Sequence, residues 1–170
     1  MDQMIVLIEQ LKRRDYTSFD TFYQLTKNQV FYAIVSVVKD KNLAEDLMQD
    51  TYMKFLENIS NFKEGSNVFA YLSRIGRNLA IDTYHQRKKI VQGDELFETI
   101  ATPEVEEDRD DIFKMLDLLK DDEREIVTLH VINDLKFREI SEMIDKPLGT
   151  VLWIFNKAIK KLKERAGDYL

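Results

Sequence analysis

Arg74, Arg77, Asn78, Ile81 and His85 recur at helical spacing, and Arg87, Lys88 and Lys89 follow directly. If residues 67–89 are helical, these side chains share one face. Guanidinium and ammonium groups hold phosphates and a carboxamide pairs with a base edge. Phe69, Tyr71 or Tyr84 would offer a ring on which an unpaired base stacks, although aromatic rings at this spacing also serve as core. Nothing in this constellation breaks a bond; its chemistry is recognition of a polyanion.

A second face has the opposite sign. Asp46, Gln49, Asp50 and Met53 fall at i, i+3, i+4 and i+7, across from an apolar stripe of Leu43, Leu47, Phe55 and Ile59 that Met48, Tyr52 and Leu56 widen. Asp46 and Asp50 repel one another by a few tenths of a kcal/mol on an isolated helix, roughly the scale of a like-charge i,i+4 pair. A basic partner would turn that cost into attraction. A solvated face is the simpler reading, with Asn42 as N-cap and Glu45 three residues on, where acids favour a helix start.

Near the C-terminus, residues 135–162 read as a short helix, a tight turn and a second helix that Pro147 is suited to open. The second helix would bury Val151, Phe155, Ala158 and Leu162 and turn Leu152, Trp153, Asn156, Lys157, Lys160 and Lys161 outward. This is helix-turn-helix grammar, in which the second helix meets a major groove. A plain αα-hairpin accounts for the pattern nearly as well.

The elements that must carry these faces are helical throughout. Apolar residues recur at three and four, strict alternation is rare, and only 5 Gly and 2 Pro interrupt 170 residues. The spacing predicts helices over 4–13, 18–39, 43–60, 68–88, 106–119, 122–132, 137–144 and 148–166. Around 90–105 the period is lost, Gly93 and Pro103 appear and an acidic run begins. The expectation is therefore an all-α chain of two small helical domains, 1–90 and 106–170, joined by an acidic linker over 91–105.

The net charge of −6 argues against coating nucleic acid by overall charge, but it is segregated. Residues 66–92 carry five basic side chains against one acid, and residues 146–165 six against one, while residues 93–125 carry fourteen acids against four bases. Two separated basic islands fit two contacts with a polyanion, or two solvated helix faces. With no cysteine there is no thiolate metal site or thiol nucleophile, and two histidines 45 positions apart are a poor start for a metal centre. No metal or other cofactor is expected, and no nucleophile–base pair or phosphate loop points to an enzyme. Apolar runs are far short of the roughly 20 residues that span a bilayer, and the first residues lack the basic start of a secretory signal, so the expected location is the cytoplasm.

Taken together, three segments resemble the sigma-70 family of bacterial RNA polymerase sigma factors, in its small two-domain extracytoplasmic-function form. Ala44-Glu45-Asp46-Leu47-Met48-Gln49-Asp50-Thr51-Tyr52 is similar to the family's core-polymerase-binding helix. Phe69-Ala70-Tyr71-Leu72-Ser73-Arg74-Ile75-Gly76-Arg77-Asn78-Leu79-Ala80-Ile81-Asp82 is similar to its promoter-melting helix, and Gly149-Thr150-Val151 to the opening of its recognition helix. Their order and spacing carry more weight than any one of them, and the resemblance covers nearly the whole chain.

The resemblance implies a transcription initiation factor. Residues 1–90 would be sigma region 2, docking on the clamp helices of the largest polymerase subunit through Asp46, Gln49, Asp50 and Met53. The same region would open the minus 10 element with Lys63, Asn67, Arg74 and Asn78 at the melted strand and Arg77, Arg87, Lys88 and Lys89 on phosphates. Residues 106–170 would be sigma region 4, seated on the flap of the second-largest subunit and reading the minus 35 element through Thr150, Leu152, Trp153, Asn156, Lys157, Lys160 and Lys161. An anti-sigma factor is a further partner the family allows, and binding to polymerase would bring the chain to the nucleoid. In one departure, Leu152-Trp153-Ile154 stands where relatives often carry Lys-Ser-Arg, which implies weaker duplex contact or contact through thymine methyls. A stand-alone helix-turn-helix regulator that binds duplex DNA as a dimer is the main alternative, and a helical scaffold with no nucleic-acid role the second.

Overall fold

Helix-compatible spacing and scarce glycine and proline produce helices throughout the residues that the computed structural model describes, 2–93 and 111–166. Among them every regular element is helical. Contacts divide the chain into two units, Met1–Ala80 and Ile81–Leu170. Most of the linker expected at 91–105, and the helix start expected at 106, lie outside the described residues.

The first unit holds α1 (Asp2–Lys12), α2 (Phe19–Val38), α3 (Lys41–Asn58) and the first half of α4 (Val68–Gly93). Two residues join α2 to α3. Lys39 takes the left-handed conformation (φ 57°) and donates its N–H to Val35 O at 2.9 Å, and Asp40 then accepts from the Leu43 N–H at 3.0 Å. Asp40, not Asn42, is thus the N-cap of α3. The expectation erred because a second polar residue suited to capping stood two residues further along, while the carboxylate at 40 already reached the orphan amide.

Phe22, Val30, Ala33 and Ile34 of α2 meet Ala44, Leu47, Tyr52 and Phe55 of α3 in the core. Phe22 and Phe55 stack at 5.2 Å, and full burial of each ring contributes about 1.5–3 kcal/mol. Within this core the Thr26 hydroxyl donates to Phe22 O at 2.9 Å, so the 2.7 Å contact with the Tyr52 hydroxyl has the phenol as donor. Burial pushes the Tyr52 phenol well above the ordinary tyrosine range.

On α4 the apolar spacing predicts a buried line of Val68, Leu72, Ile75 and Leu79. Val68 and Leu72 are buried, but the line continues through Gly76 and Ala80 while Ile75 and Leu79 stay half-exposed. A Cβ at Gly76 would lie 2.9 Å from Ile34 Cγ1 and 3.3 Å from Thr51 Oγ1, so only glycine permits this approach. Apolarity pointed to Ile75 and Leu79; the closeness of α2 and α3 selected the small residues instead.

The second unit is built on α5 (Asp111–Asp117), α6 (Asp121–Val127), α7 (Phe137–Ile144) and α8 (Leu148–Ala166). The single helix expected over 122–132 changes pitch. After Val127 the backbone widens into a π turn over Thr128–Ile132, closed by the Asn133 N–H on Thr128 O at 3.1 Å. Arg124 is buried and binds α5 to α6: Nε donates to Leu116 O at 3.0 Å and Nη2 to Leu119 O at 2.9 Å. Leu116 O also accepts from the Leu119 N–H at 3.1 Å, so Arg124 braces the turn that closes α5 and takes up the Leu119 carbonyl beyond it. Leu116, Leu119, Val127 and Ala158 form the core, flanked by Ile132, Phe155, Ile159 and Leu162.

Asp145 in the left-handed region (φ 53°) ends α7, and α8 begins three residues later. Pro147 lies just ahead of α8 rather than at its first position, its carbonyl accepting from the Val151 N–H at 3.1 Å. His130 stacks on Phe137 at 3.9 Å and meets Phe155 edge-on, and its Nδ1–H donates to Leu135 O at 2.8 Å. It is a packing residue at the α7–α8 junction.

Candidate functional site

On α3 the buried line of Ala44, Leu47, Thr51 and Phe55 leaves Asp46, Gln49, Asp50 and Met53 exposed on the other side, as the spacing requires. Met53 keeps 60% of its surface open, an unusual position for a large apolar residue. It belongs to a groove of about 760 Å³ between α2 and α3, lined by Phe19, Tyr23, Phe31, Met48, Gln49 and Tyr52 among others. Gln49 and Met53 thus join the exposed α3 face, with its Asp46 and Asp50 carboxylates, to a mostly apolar trough whose charged lining is Glu45 and Lys27. The trough was not anticipated from sequence. Its signal was the density of aromatics on α2, which pair with α3 only once the two helices are packed.

On α4 the polar face is solvent-exposed at Arg74 and Asn78 and half-exposed at Arg77; Arg87, Lys88 and Lys89 are exposed further along the same helix. Tyr71, a stacking candidate, instead packs against Phe62 at 5.3 Å and Phe55 at 6.1 Å. Tyr84 remains open to solvent. The approach to α4 is a turn closed by the Ser66 N–H on Lys63 O at 3.1 Å, with Gly65 at φ 79°. It sets Lys63 on the surface ahead of the helix. Asn67 is exposed too, but its Oδ1 caps α4 by accepting from the N–H groups of Phe69 (3.0 Å) and Ala70 (3.2 Å). That acceptor is spent on the helix start.

On α8, Thr150, Trp153, Asn156, Lys157 and Lys160 are exposed, while Leu152 and Lys161 are half-buried. Ile154 goes into the core with Val151 and Ala158, and Phe155 is only partly covered. The departure at 152–154 thus divides: one residue packs and Trp153 projects, 63% exposed. Lys161 does not stand alone. Its Nζ donates to Glu123 Oε2 at 2.9 Å, and Lys157 Nζ lies 4.0 Å from Glu123 Oε1 and 4.9 Å from the Trp153 ring centre. Burial by itself raises the Glu123 pKa. The Lys120 N–H on Oε2 at 3.0 Å, the Lys161 ammonium and the charge of Lys157 outweigh it and hold the carboxyl below the usual range. Glu123 was missed from sequence, where it is one acid among many.

Among the described residues no cluster of His, Asp and Glu fits a metal ion, and no helix is long and apolar enough to cross a membrane.

Comparison with known proteins gives the two units a common context. The family model for sigma-70 region 2 matches residues 22–90, and that for sigma-70 region 4 matches residues 109–152. The ECF RNA polymerase sigma factor SigM of Bacillus subtilis is 29% identical over 86% of this chain and 93% of that protein. The RNA polymerase sigma-H factor of Pseudomonas aeruginosa is 26% identical over 85% of this chain and 84% of its own. Among solved structures, the sigma factor RpoE of Bartonella quintana, in complex with the anti-sigma factor NepR, is similar with a TM-score of 0.71 and 26% identity, covering 86% of this chain and 94% of that one. The two region models occur in the family's order; the first holds the α3 and α4 faces described above, and the second reaches along α8 as far as Leu152. The chain belongs to the sigma-70 family of RNA polymerase sigma factors, in its extracytoplasmic-function group.

Proposed function

We propose that this initiation factor divides its work among the three faces. Residues 1–90 act as region 2, residues 91–105 as an acidic tether and residues 106–170 as region 4. The α3 face of Asp46, Gln49, Asp50 and Met53 docks on the polymerase clamp helices, whose basic charge relieves the repulsion between the two aspartates. Arg74, Asn78 and the Lys63–Asn67 turn receive the melted minus 10 strand, and Arg77, Arg87, Lys88 and Lys89 hold phosphates. Thr150, Leu152, Trp153, Asn156, Lys157, Lys160 and Lys161 form the surface for the minus 35 duplex.

Melting on this reading needs no covalent step. A surface that binds an unstacked base better than the duplex shifts the opening equilibrium by that difference, and a stacked or clamped base supplies about 1–3 kcal/mol. The chain contributes binding energy and no catalysis of its own. It works where polymerase and promoter are, in the cytoplasm on the nucleoid. The solved relative bound to NepR supports an anti-sigma factor as a second class of partner.

The observation that carries the reading is that one region-2 match holds both required faces, the acidic one on α3 and the basic and amide one on α4, each opposite a buried line. In vitro transcription with purified core polymerase on a genomic library, with and without the protein, tests it. New, specific start sites that depend on the chain are expected. Tight binding to a palindromic duplex without polymerase, and no new start sites, would establish the stand-alone regulator instead.

A further inference from the structure

Glu123 is 2% exposed, and its Oε1 has no hydrogen-bond partner. A buried carboxylate with an unsatisfied oxygen is costly unless cations compensate it. Here both cations come from α8: Lys161 bonds Oε2, and Lys157 faces Oε1. Lys157 also lies over the indole of Trp153, one helical turn back. A single buried charge on α6 thereby reaches a projecting aromatic ring on α8 through one lysine.

We propose that Glu123 is a positioning residue for the outward face of α8: its carboxylate fixes Lys161 and Lys157, and Lys157 in turn fixes the Trp153 indole. The face then meets its ligand with an oriented ring, while two of its lysines are already neutralised from behind. This deepens the reading of α8 as the minus 35 helix and rests on it. An oriented indole reads thymine methyls and sugars, whereas free lysines add only uniform phosphate attraction.

Trp153 is the one tryptophan of the chain, so its emission reports this site alone. Acrylamide quenching of the full chain is the direct measurement, because a neutral quencher is blind to the change in charge. Glu123→Gln keeps an acceptor for the Lys120 N–H and removes the anion. Lys157→Met leaves Glu123 and its cap in place, and so guards against a variant that merely misfolds. Both should raise the quenching constant, by up to about twofold, because a cation covers one of the two ring faces. An unchanged constant in both variants, with wild-type helix content, would overturn the proposal.

The second arm uses a promoter recovered by library transcription and the same promoter with its minus 35 element scrambled. Trp153→Ala holoenzyme should lose most of the preference for the intact element, and Glu123→Gln holoenzyme should lose it in parallel. If quenching responds as expected but Trp153→Ala keeps the full preference, the assignment of α8 to the minus 35 element fails while the Glu123–Lys157–Trp153 link stands. If Trp153→Ala loses the preference and Glu123→Gln keeps it, the positioning role is refuted and the assignment survives.

Discussion

Replacing Arg124 by methionine should loosen the C-terminal unit selectively. The side chain is buried, and its two bonds to Leu116 O and Leu119 O hold the end of α5 against α6. Methionine fills a similar volume but donates nothing, so Leu119 O loses its partner and Leu116 O keeps only the Leu119 N–H at 3.1 Å. Bonds from a charged donor contribute about 1.5–3 kcal/mol each, which gives about 3–6 kcal/mol for the pair. The additional contact to Asp121 at 3.3 Å adds little, since that carboxylate is largely exposed. A unit of this size holds in total about 3–9 kcal/mol, so the loss consumes most of its stability. Hydrogen exchange followed by mass spectrometry should show amide protection across α5–α8 falling by about two to four decades, at 1.4 kcal/mol per decade. Peptides from α2 and α3 should keep their protection. Arg124→Lys, which retains the charge but cannot fork to both carbonyls, should fall between. Protection in α5–α8 within threefold of wild type for the methionine variant would refute the argument that these bonds hold the unit together.

Charge reversal by Asp50→Lys should reduce affinity for core polymerase by about tenfold or more, the cost of like charge at a complementary interface, with no change in melting temperature because the residue is solvent-exposed; a pull-down and a melt read the two effects. Gly76→Val should lower the melting temperature of the N-terminal unit by about 5–15 °C, from about 1–3 kcal/mol of overpacking against the buried Ile34. Tyr52→Phe should cost about 1 kcal/mol at neutral pH, through loss of the buried bond to Thr26. Because the folded phenol's pKa lies above its ordinary value of 10.0, the neutral phenol's contribution is whole below that pH and is lost as pH rises beyond it. Melts between pH 9 and 11 should therefore fall less steeply for the phenylalanine variant.

Much of this protein is visible in one dimension because helix periodicity is a property of a single segment. The spacing of Asp46, Gln49, Asp50 and Met53 places them on one face whatever α3 packs against, and the solvent exposure of all four follows from that. The basic islands and the order of the three motifs are likewise linear facts, and they were enough to reach the family. What the spacing could not supply was the identity of the neighbour across each interface. Ile75 and Leu79 are better core residues than Gly76 and Ala80 by hydrophobicity, yet the small pair is buried because Ile34 and Thr51 approach from other helices.

The same limit governs charge. In the sequence Lys157 and Lys161 read as free cations on an outward face, and Glu123 as one carboxylate in an acidic run. They meet across 34 and 38 positions only because α6 packs on α8. By itself the sequence determined which helices form, which side of each is polar and which family they compose. The tertiary structure alone decided which polar groups remain available to a partner, because neutralising a charge or closing a gap needs an atom from another helix within a few ångströms, and periodicity carries no information about which helix that is.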